Sequence, residues 1–329
     1  MRGVIRRLSA IAAILLATLA TSSLHAQRPA SARDSFPTKP IRWIVPFPPG
    51  GPTDVVARIV GQRLGERLQQ PVLIENRAGA FGNIGLEAAA RAAPDGHTIV
   101  LGPTAMVLNA IMHKLNFDPL TELAPVSQLT RLDLVLLASA DFPPRTVPGV
   151  LAAARASPET VTCGWGAAFP QLGCELLKIR GKAPIDAIPY NGNGPAMSAL
   201  VSGQISLLFD SPNTALPQLK ANRIRAIATT SATRETGALG HLPTVSETLP
   251  GFELPGWFGV LAPAATPRAI IMRLNREIAA VLDEEEVRKR LTDGGFEIAG
   301  GLPEEFAAVI RRDHARYSQI IREAGIKPE

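Results

Sequence analysis

What constrains this chain most is a unit that recurs along it. A short β-rich run is followed by a loop of Gly, Pro and small polar residues, then by apolar residues at helical spacing. Residues 41–47 form the first run, Pro-Pro-Gly-Gly-Pro-Thr-Asp at 48–54 the loop, and Val55, Val56, Ile59, Val60, Leu64 and Leu68 the helical stripe. Runs at 71–75 and 98–101, with loops at 79–83 and 102–104, repeat the unit. It restarts at 161–163, with a loop at 164–170 and a helix at 171–179, and continues through runs at 185–190, 205–209 and 224–229. Strands alternating with helices predict a mostly parallel sheet with flanking helices. Two such sets predict an α/β fold of two lobes. The apolar segments 124–138 and 256–262 read as strands crossing between them, and the helical tail at 267–282, 284–291 and 303–324 as packing back on the first lobe. Lobe 1 is accordingly expected at 38–130 and 251–329, and lobe 2 at 131–250.

Residues 1–26 stand outside this pattern. Arg2, Arg6 and Arg7 precede an uncharged apolar run, 8–20, and a small polar close ending at Ala26. That is the layout of a secretory signal peptide. The run is shorter than the roughly 20 residues of a membrane span, and no cysteine near the cleavage region offers a lipid anchor. Residues 27–37 read as a linker, and the expected location is the periplasm. The chain has 34 basic and 29 acidic residues, a net +5. The leader holds three of the arginines and no acid, so 31 against 29 remain, a net +2 with no basic patch. Nucleic acid is therefore not an expected partner. Cys163 and Cys174 are the two cysteines. A disulfide is permitted outside the cytoplasm, and so is a pair of buried thiols; spacing does not choose between them.

In open α/β sheets ligands bind beyond the carboxyl ends of the strands. The loops there are rich in Gly, Pro, Asn and Thr and poor in nucleophiles and bases. Each opens a helix, whose first N–H groups lack partners and whose dipole favours an anion. Motifs for nucleophilic hydrolysis, zinc, dinucleotide or phosphate-loop chemistry are missing from the sequence. No catalytic residue, metal or cofactor is expected, and an exported hydrolase is the disfavoured reading.

The loops, taken together, carry a resemblance. Lys39-Pro40-Ile41-Arg42 through Val45-Pro46-Phe47-Pro48-Pro49-Gly50-Gly51-Pro52-Thr53-Asp54 is similar to the opening of the Bug-type extracytoplasmic solute receptors of tripartite tricarboxylate transporters. So are Glu75-Asn76-Arg77-Ala78-Gly79-Ala80-Phe81-Gly82-Asn83, Ala93-Pro94-Asp95-Gly96, Pro189-Tyr190-Asn191-Gly192-Asn193-Gly194-Pro195, Leu242-Pro243-Thr244-Val245, Trp257-Phe258-Gly259-Val260 and Ile326-Lys327-Pro328. The resemblance implies a two-lobed periplasmic binding protein of type II (a Venus flytrap). It implies a small organic carboxylate as ligand, hinge closure, and delivery to integral membrane permease subunits. A receptor feeding a membrane sensor kinase would have the same pocket.

Carried over residue by residue, the ligand-binding positions of the first lobe are Phe47, Pro49, Gly50, Gly51, Thr53, Asp54, Phe81, Gly82, Asn83 and Thr104, with Phe258 at the crossing strand. Those of the second are Gly192, Asn193, Gly194 and Asp210. One loop departs from the family pattern: Gly164-Trp165-Gly166-Ala167-Ala168-Phe169-Pro170 carries aromatics in place of the usual hydroxyls. Unmatched polar ends are costly to bury, which argues against a tricarboxylate such as citrate. Trp165, Ala167 and Phe169 join the expected site, for a mono- or dicarboxylate with an apolar or aromatic remainder. The bland alternative places both aromatics in the second-lobe core.

Overall fold

The computed structural model describes residues 36–158, 160–231, 233–234, 239–323 and 325–326. The leader assigned to 1–26, most of the linker, and Lys327 and Pro328 lie outside the described residues. From Lys39 onward the described chain builds two sheets.

The first sheet contains β1 (Ile41–Val45), β2 (Val72–Asn76), β3 (Thr98–Pro103), β4 (Leu123–Leu132), β10 (Gly256–Pro263) and β11 (Glu297–Gly300), in the order β11-β4-β10-β3-β1-β2. The second contains β5 (Val135–Ser139), β6 (Thr162–Trp165), β7 (Asp186–Pro189), β8 (Leu207–Asp210) and β9 (Ile224–Thr229), in the order β7-β6-β8-β5-β9. In each sheet three strands follow the expected parallel pattern: β2-β1-β3, with Ile41 opposite Val72, and β7-β6-β8, with Thr162 opposite Asp186. The strands arriving from the other sheet run antiparallel: β10 lies between β3 and β4, and β5 between β8 and β9. Both sheets are thus more mixed than strand–helix alternation alone predicts, because a strand entering from a neighbouring lobe needs no helical crossover.

Helices α1 (Pro52–Leu68), α2 (Asn83–Ala90) and α3 (Ala105–Met112) connect the strands of the first sheet. The α1 stripe Val56, Ile59, Val60, Leu64 and Leu68 is buried as its spacing predicts, and Gly61 brings the helix close to Trp43 and Ile74. The tail forms α8 (Arg268–Leu282), α9 (Glu285–Asp293) and α10 (Pro303–Glu323). It lies on the first sheet as expected: α8 against α1 and β4, and α10 against β4 and α3. The second sheet carries α4 (Val147–Ala156), α5 (Ala168–Gly181), α6 (Asn193–Val201) and α7 (Pro212–Lys220) around a core that includes Val135, Leu137, Met197, Leu200, Ile205 and Leu208. Cys163 on β6 and Cys174 on α5 form a disulfide with Cα atoms 5.8 Å apart, so the disulfide, not the pair of free thiols, is what the chain contains.

Segment 124–138 is not one strand but two. β4 belongs to the first sheet and β5 to the second, joined through Asp133 and Leu134. The return passes beside it: Thr230 Oγ1 accepts from the Leu134 N–H (2.8 Å), the Thr230 N–H donates to the Leu134 carbonyl (2.8 Å), and the Leu254 N–H donates to the Thr230 carbonyl (3.2 Å). Thr230 is fully buried, and the two crossings are stitched together at this one residue.

Candidate functional site

Between the carboxyl ends of the two sets of parallel strands lies a cavity of about 290 Å³. Its wall is assembled from five loops, strand β10 and the crossing at Leu132 and Leu134. Phe47, Pro48, Pro49, Gly50, Gly51, Pro52 and Thr53 come from the β1–α1 loop, Pro103, Thr104 and Ala105 from β3–α3, and Trp257 and Phe258 from β10. Opposite them stand Ala167, Phe169 and Pro170 from β6–α5, Gly192, Asn193, Gly194 and Pro195 from β7–α6, and Asp210, Ser211 and Thr214 from β8–α7, with Leu132 and Leu134 at the crossing.

Five helices begin on this wall. The residues just before α1, α3, α5, α6 and α7 are Gly51, Thr104, Ala167, Gly192 and Ser211, and every one lines the cavity. None of the five caps its helix with a side-chain hydrogen bond. Elsewhere capping is mixed: Thr146 accepts from Gly149 at the start of α4 and Thr244 and Glu247 form a capping box, while α2, α8 and α9 also start without a side-chain cap. First-turn N–H groups have no intrahelical acceptor and carry the positive end of the dipole. The described residues on the wall include no Lys, Arg or His. Any positive potential that its described residues supply therefore comes from backbone.

The loops are held by side chains both behind the cavity wall and on it. Asp54 accepts from the Gly50 N–H (3.0 Å), Arg58 Nε (2.9 Å) and Asn76 Nδ2 (2.9 Å), and Asn76 also donates to the Phe47 carbonyl (3.0 Å). Burial opposes ionisation of Asp54, but those three donors outweigh it and hold the carboxyl below its usual range. Gly50 at φ +83° makes the turn they brace. Across the cavity Asn193 joins three loops: Oδ1 accepts from the Gly166 N–H (3.1 Å) and Nδ2 donates to Asp210 Oδ1 (2.8 Å). A methyl on Gly166 would lie 2.0 Å from the Gly192 carbonyl carbon, so the β6–α5 and β7–α6 loops meet backbone to backbone. Thr104 Oγ1 is engaged with β10, accepting from the Trp257 N–H (2.7 Å) and donating to the Trp257 carbonyl (3.2 Å).

Two residues of the wall each hold a buried polar atom without a protein hydrogen bond, Thr53 Oγ1 on one side and Asp210 Oδ2 on the other. Burial pushes the Asp210 carboxyl up to about 6, against hydrogen bonds from Asn193 and the Ser211 N–H.

Most of the expected site residues are brought together here: Phe47, Pro49, Gly50, Gly51, Thr53, Thr104, Ala167, Phe169, Gly192, Asn193, Gly194, Asp210 and Phe258. Asp54, Phe81, Gly82, Asn83 and Trp165 are not on the wall. Asp54 sits behind its loop as the brace just described. Phe81 stacks on His113 (5.3 Å) and tilts against Trp165 (5.6 Å), forming an aromatic seam between the β2–α2 and β6–α5 loops. Gly82 packs under the Phe47 ring, and Asn83 Oδ1 accepts from the buried Asn109 Nδ2 (2.9 Å). Of the two aromatics in the departing loop, only Phe169 reaches the cavity, its ring edge-on to Tyr317 of α10. Leu132, Leu134, Ser211 and Thr214 also line the wall. Their position beside a crossing or past a strand end was the signal available.

Two sheets, paired crossings and a cleft at the strand ends define a two-lobed periplasmic solute-binding protein. A family model described as the tripartite tricarboxylate transporter family receptor matches residues 56–326, and the chain belongs to that family of solute-binding receptors. BugT of Bordetella pertussis is 34% identical over 327 residues, 98% of each chain. An R. palustris protein solved with adipate is 33% identical, with a TM-score of 0.86 over 89% of this chain and 100% of its own. MatC from Rhodopseudomonas palustris, solved with bound malate, is 32% identical, with a TM-score of 0.82 over 87% of this chain and 100% of its own. No helix among the described residues is long and apolar enough to cross a membrane.

Proposed function

We propose that this chain captures a small mono- or dicarboxylate in the cleft and presents it, lobes closed, to the permease subunits of a tripartite tricarboxylate transporter. The observation that carries the reading is the convergence of five uncapped helix N-termini on a wall without a basic side chain. Backbone dipoles of this kind stabilise a carboxylate, whereas a cation would meet the wrong ends of the helices. Phe47, Phe169, Phe258, Leu132 and Leu134 offer an apolar surface for the ligand's carbon skeleton. The volume lies at the small end of ligand pockets, about 300–1,000 Å³, which favours a compact acid. Relatives solved with adipate and malate support the class. Thr53 Oγ1 and Asp210 Oδ2 are suited to opposite ends of such a molecule. Closure about the crossings at 132–134 and 230–255 would bring the two sets of loops onto it.

Calorimetry with malate, adipate, benzoate and the matching amides tests this. Binding of at least one acid at one site, with its amide weaker by tenfold or more, supports it. Equal binding of acid and amide contradicts it.

A further inference from the structure

The wall holds a single ionisable side chain among its described residues, and that side chain is an acid facing a space suited to an anion. Asp210 stands at the end of β8 with 1% of its surface exposed. Its Oδ1 accepts from Asn193 Nδ2 and from the Ser211 N–H, both at 2.8 Å. Its Oδ2 has no partner. Of the nearby hydroxyls, Ser211 Oγ donates to Asn213 Oδ1 (2.6 Å) and Thr214 Oγ1 to the Ser211 carbonyl (2.9 Å), and both also lie close enough to the Asp210 carboxyl to favour its ionised form, an effect that burial outweighs.

The charged groups of the surrounding elements do not neutralise it. Asp54, behind the β1–α1 loop, is paired with Arg58. Asp133, at the crossing, has interactions of its own. Asp313 of α10, behind Trp257, is held by Trp257 Nε1 (2.8 Å) and Arg312. None of these lines the cavity. Two carboxylates brought together in a site of low polarity do not both remain ionised.

We infer that Asp210 is a specificity residue that captures its ligand as a protonated acid. Its Oδ2 takes one proton from solvent as a carboxylate docks, and donates the resulting O–H to a ligand oxygen. The inference rests on the carboxylate reading above and adds the proton to it. The O–H is the one covalent bond formed, and the proton cancels the Asp210 charge, so the filled cavity carries only the charge of the ligand. Burial has already raised this carboxyl towards neutrality, and an arriving anion raises it further. A ligand with an ammonium group at Oδ2 would do the reverse and expel a proton.

The test is calorimetry of the full chain with malate, adipate, benzoate and aspartate, from pH 5.5 to 8.5, in phosphate and Tris buffers of different ionisation heat. The expected result is uptake approaching one proton per bound acid at pH 7.5, with affinity falling about tenfold per pH unit above the transition. In Asp210→Asn, which offers a permanent N–H donor, uptake should vanish and affinity should vary by less than about threefold over the same range. Acid binding without proton uptake in the unaltered protein overturns the proton coupling and leaves the carboxylate reading intact. Tighter binding of aspartate at high pH, with proton release, overturns it in favour of an ammonium ligand. Failure of every acid to bind at pH 5.5 overturns both.

Discussion

Two aspartates beside the cavity, Asp54 in the first turn of α1 and Asp210 at the end of β8, have opposite electrostatic roles. Asp54 is surrounded by donors and held ionised. Its contribution to stability is present above the ordinary aspartate range and lost as pH falls through its lowered value. Asp54→Ala should cost about 1–3 kcal/mol and weaken ligand binding by releasing the Gly50 turn. Urea unfolding at pH 7 checks the first effect, and calorimetry the second. Asp210 has the reverse sign. Its carboxyl is raised from 3.8 to about 6, so the empty protein loses stability as pH rises through that interval, by roughly 3 kcal/mol at about 1.4 kcal/mol per unit. Asp210→Asn should therefore be more stable than the parent at pH 7.5, with the difference shrinking towards pH 4. Urea midpoints at both pH values measure it, and a difference independent of pH would count against the buried charge. The sequence places Asp54 at a helix start and Asp210 at the end of a β-rich run, but it does not tell which of them is held ionised. Burial and partner geometry decide, and both are properties of the assembled loops.

At the scale of elements, the strand–loop–helix repeat was legible because its period survives in the apolar residues of α1, β1, β3 and β8. Helix α4 left little trace, since Val-Pro-Gly-Val-Leu-Ala-Ala-Ala-Arg-Ala spends its turns on alanine, which carries weak periodicity. β11 has four residues, none fully buried, and so lacks an alternating pattern. Which loops meet was only partly legible: the Gly/Pro loops reach the cavity as expected, but the Phe81 loop instead joins Trp165. The contact between Gly166 and Gly192 suggests a sharp variant. Gly166→Ala should force the β6–α5 and β7–α6 loops apart and lower acid affinity by more than tenfold, an effect calorimetry would detect. The Cys163–Cys174 disulfide closes a short loop between β6 and α5, worth about 2–3 kcal/mol on loop-closure grounds. Reduction should lower the melting temperature by several degrees, and unchanged melting would show that packing of α5 alone suffices.

For the whole molecule, the two crossings concentrate any relative motion of the sheets at Leu134, Thr230 and Leu254. Thr230→Val keeps the shape of that side chain and removes the acceptor that receives the Leu134 N–H. It should loosen the hinge, seen as a larger radius of gyration in small-angle scattering without ligand and recovery on saturation with a bound acid. The proposed closure would have a plain electrostatic purpose, because removing water strengthens the attraction between helix N-termini and an anion. The sequence conveyed this architecture through its family resemblance and its two sets of repeats. The poverty of its loops in basic residues was legible too, but which of them meet around one cavity follows only from how five separate loops converge.

The decisive measurement is a crystal structure of the chain grown with whichever acid binds best in the calorimetric panel. A ligand carboxylate should lie within hydrogen-bond distance of first-turn N–H groups from helices of both lobes, with Thr53 Oγ1 and Asp210 Oδ2 each satisfied by the ligand. A carboxylate gripped instead by lysine or arginine outside the cleft, with those helix ends turned to solvent, would be incompatible with capture by backbone dipoles.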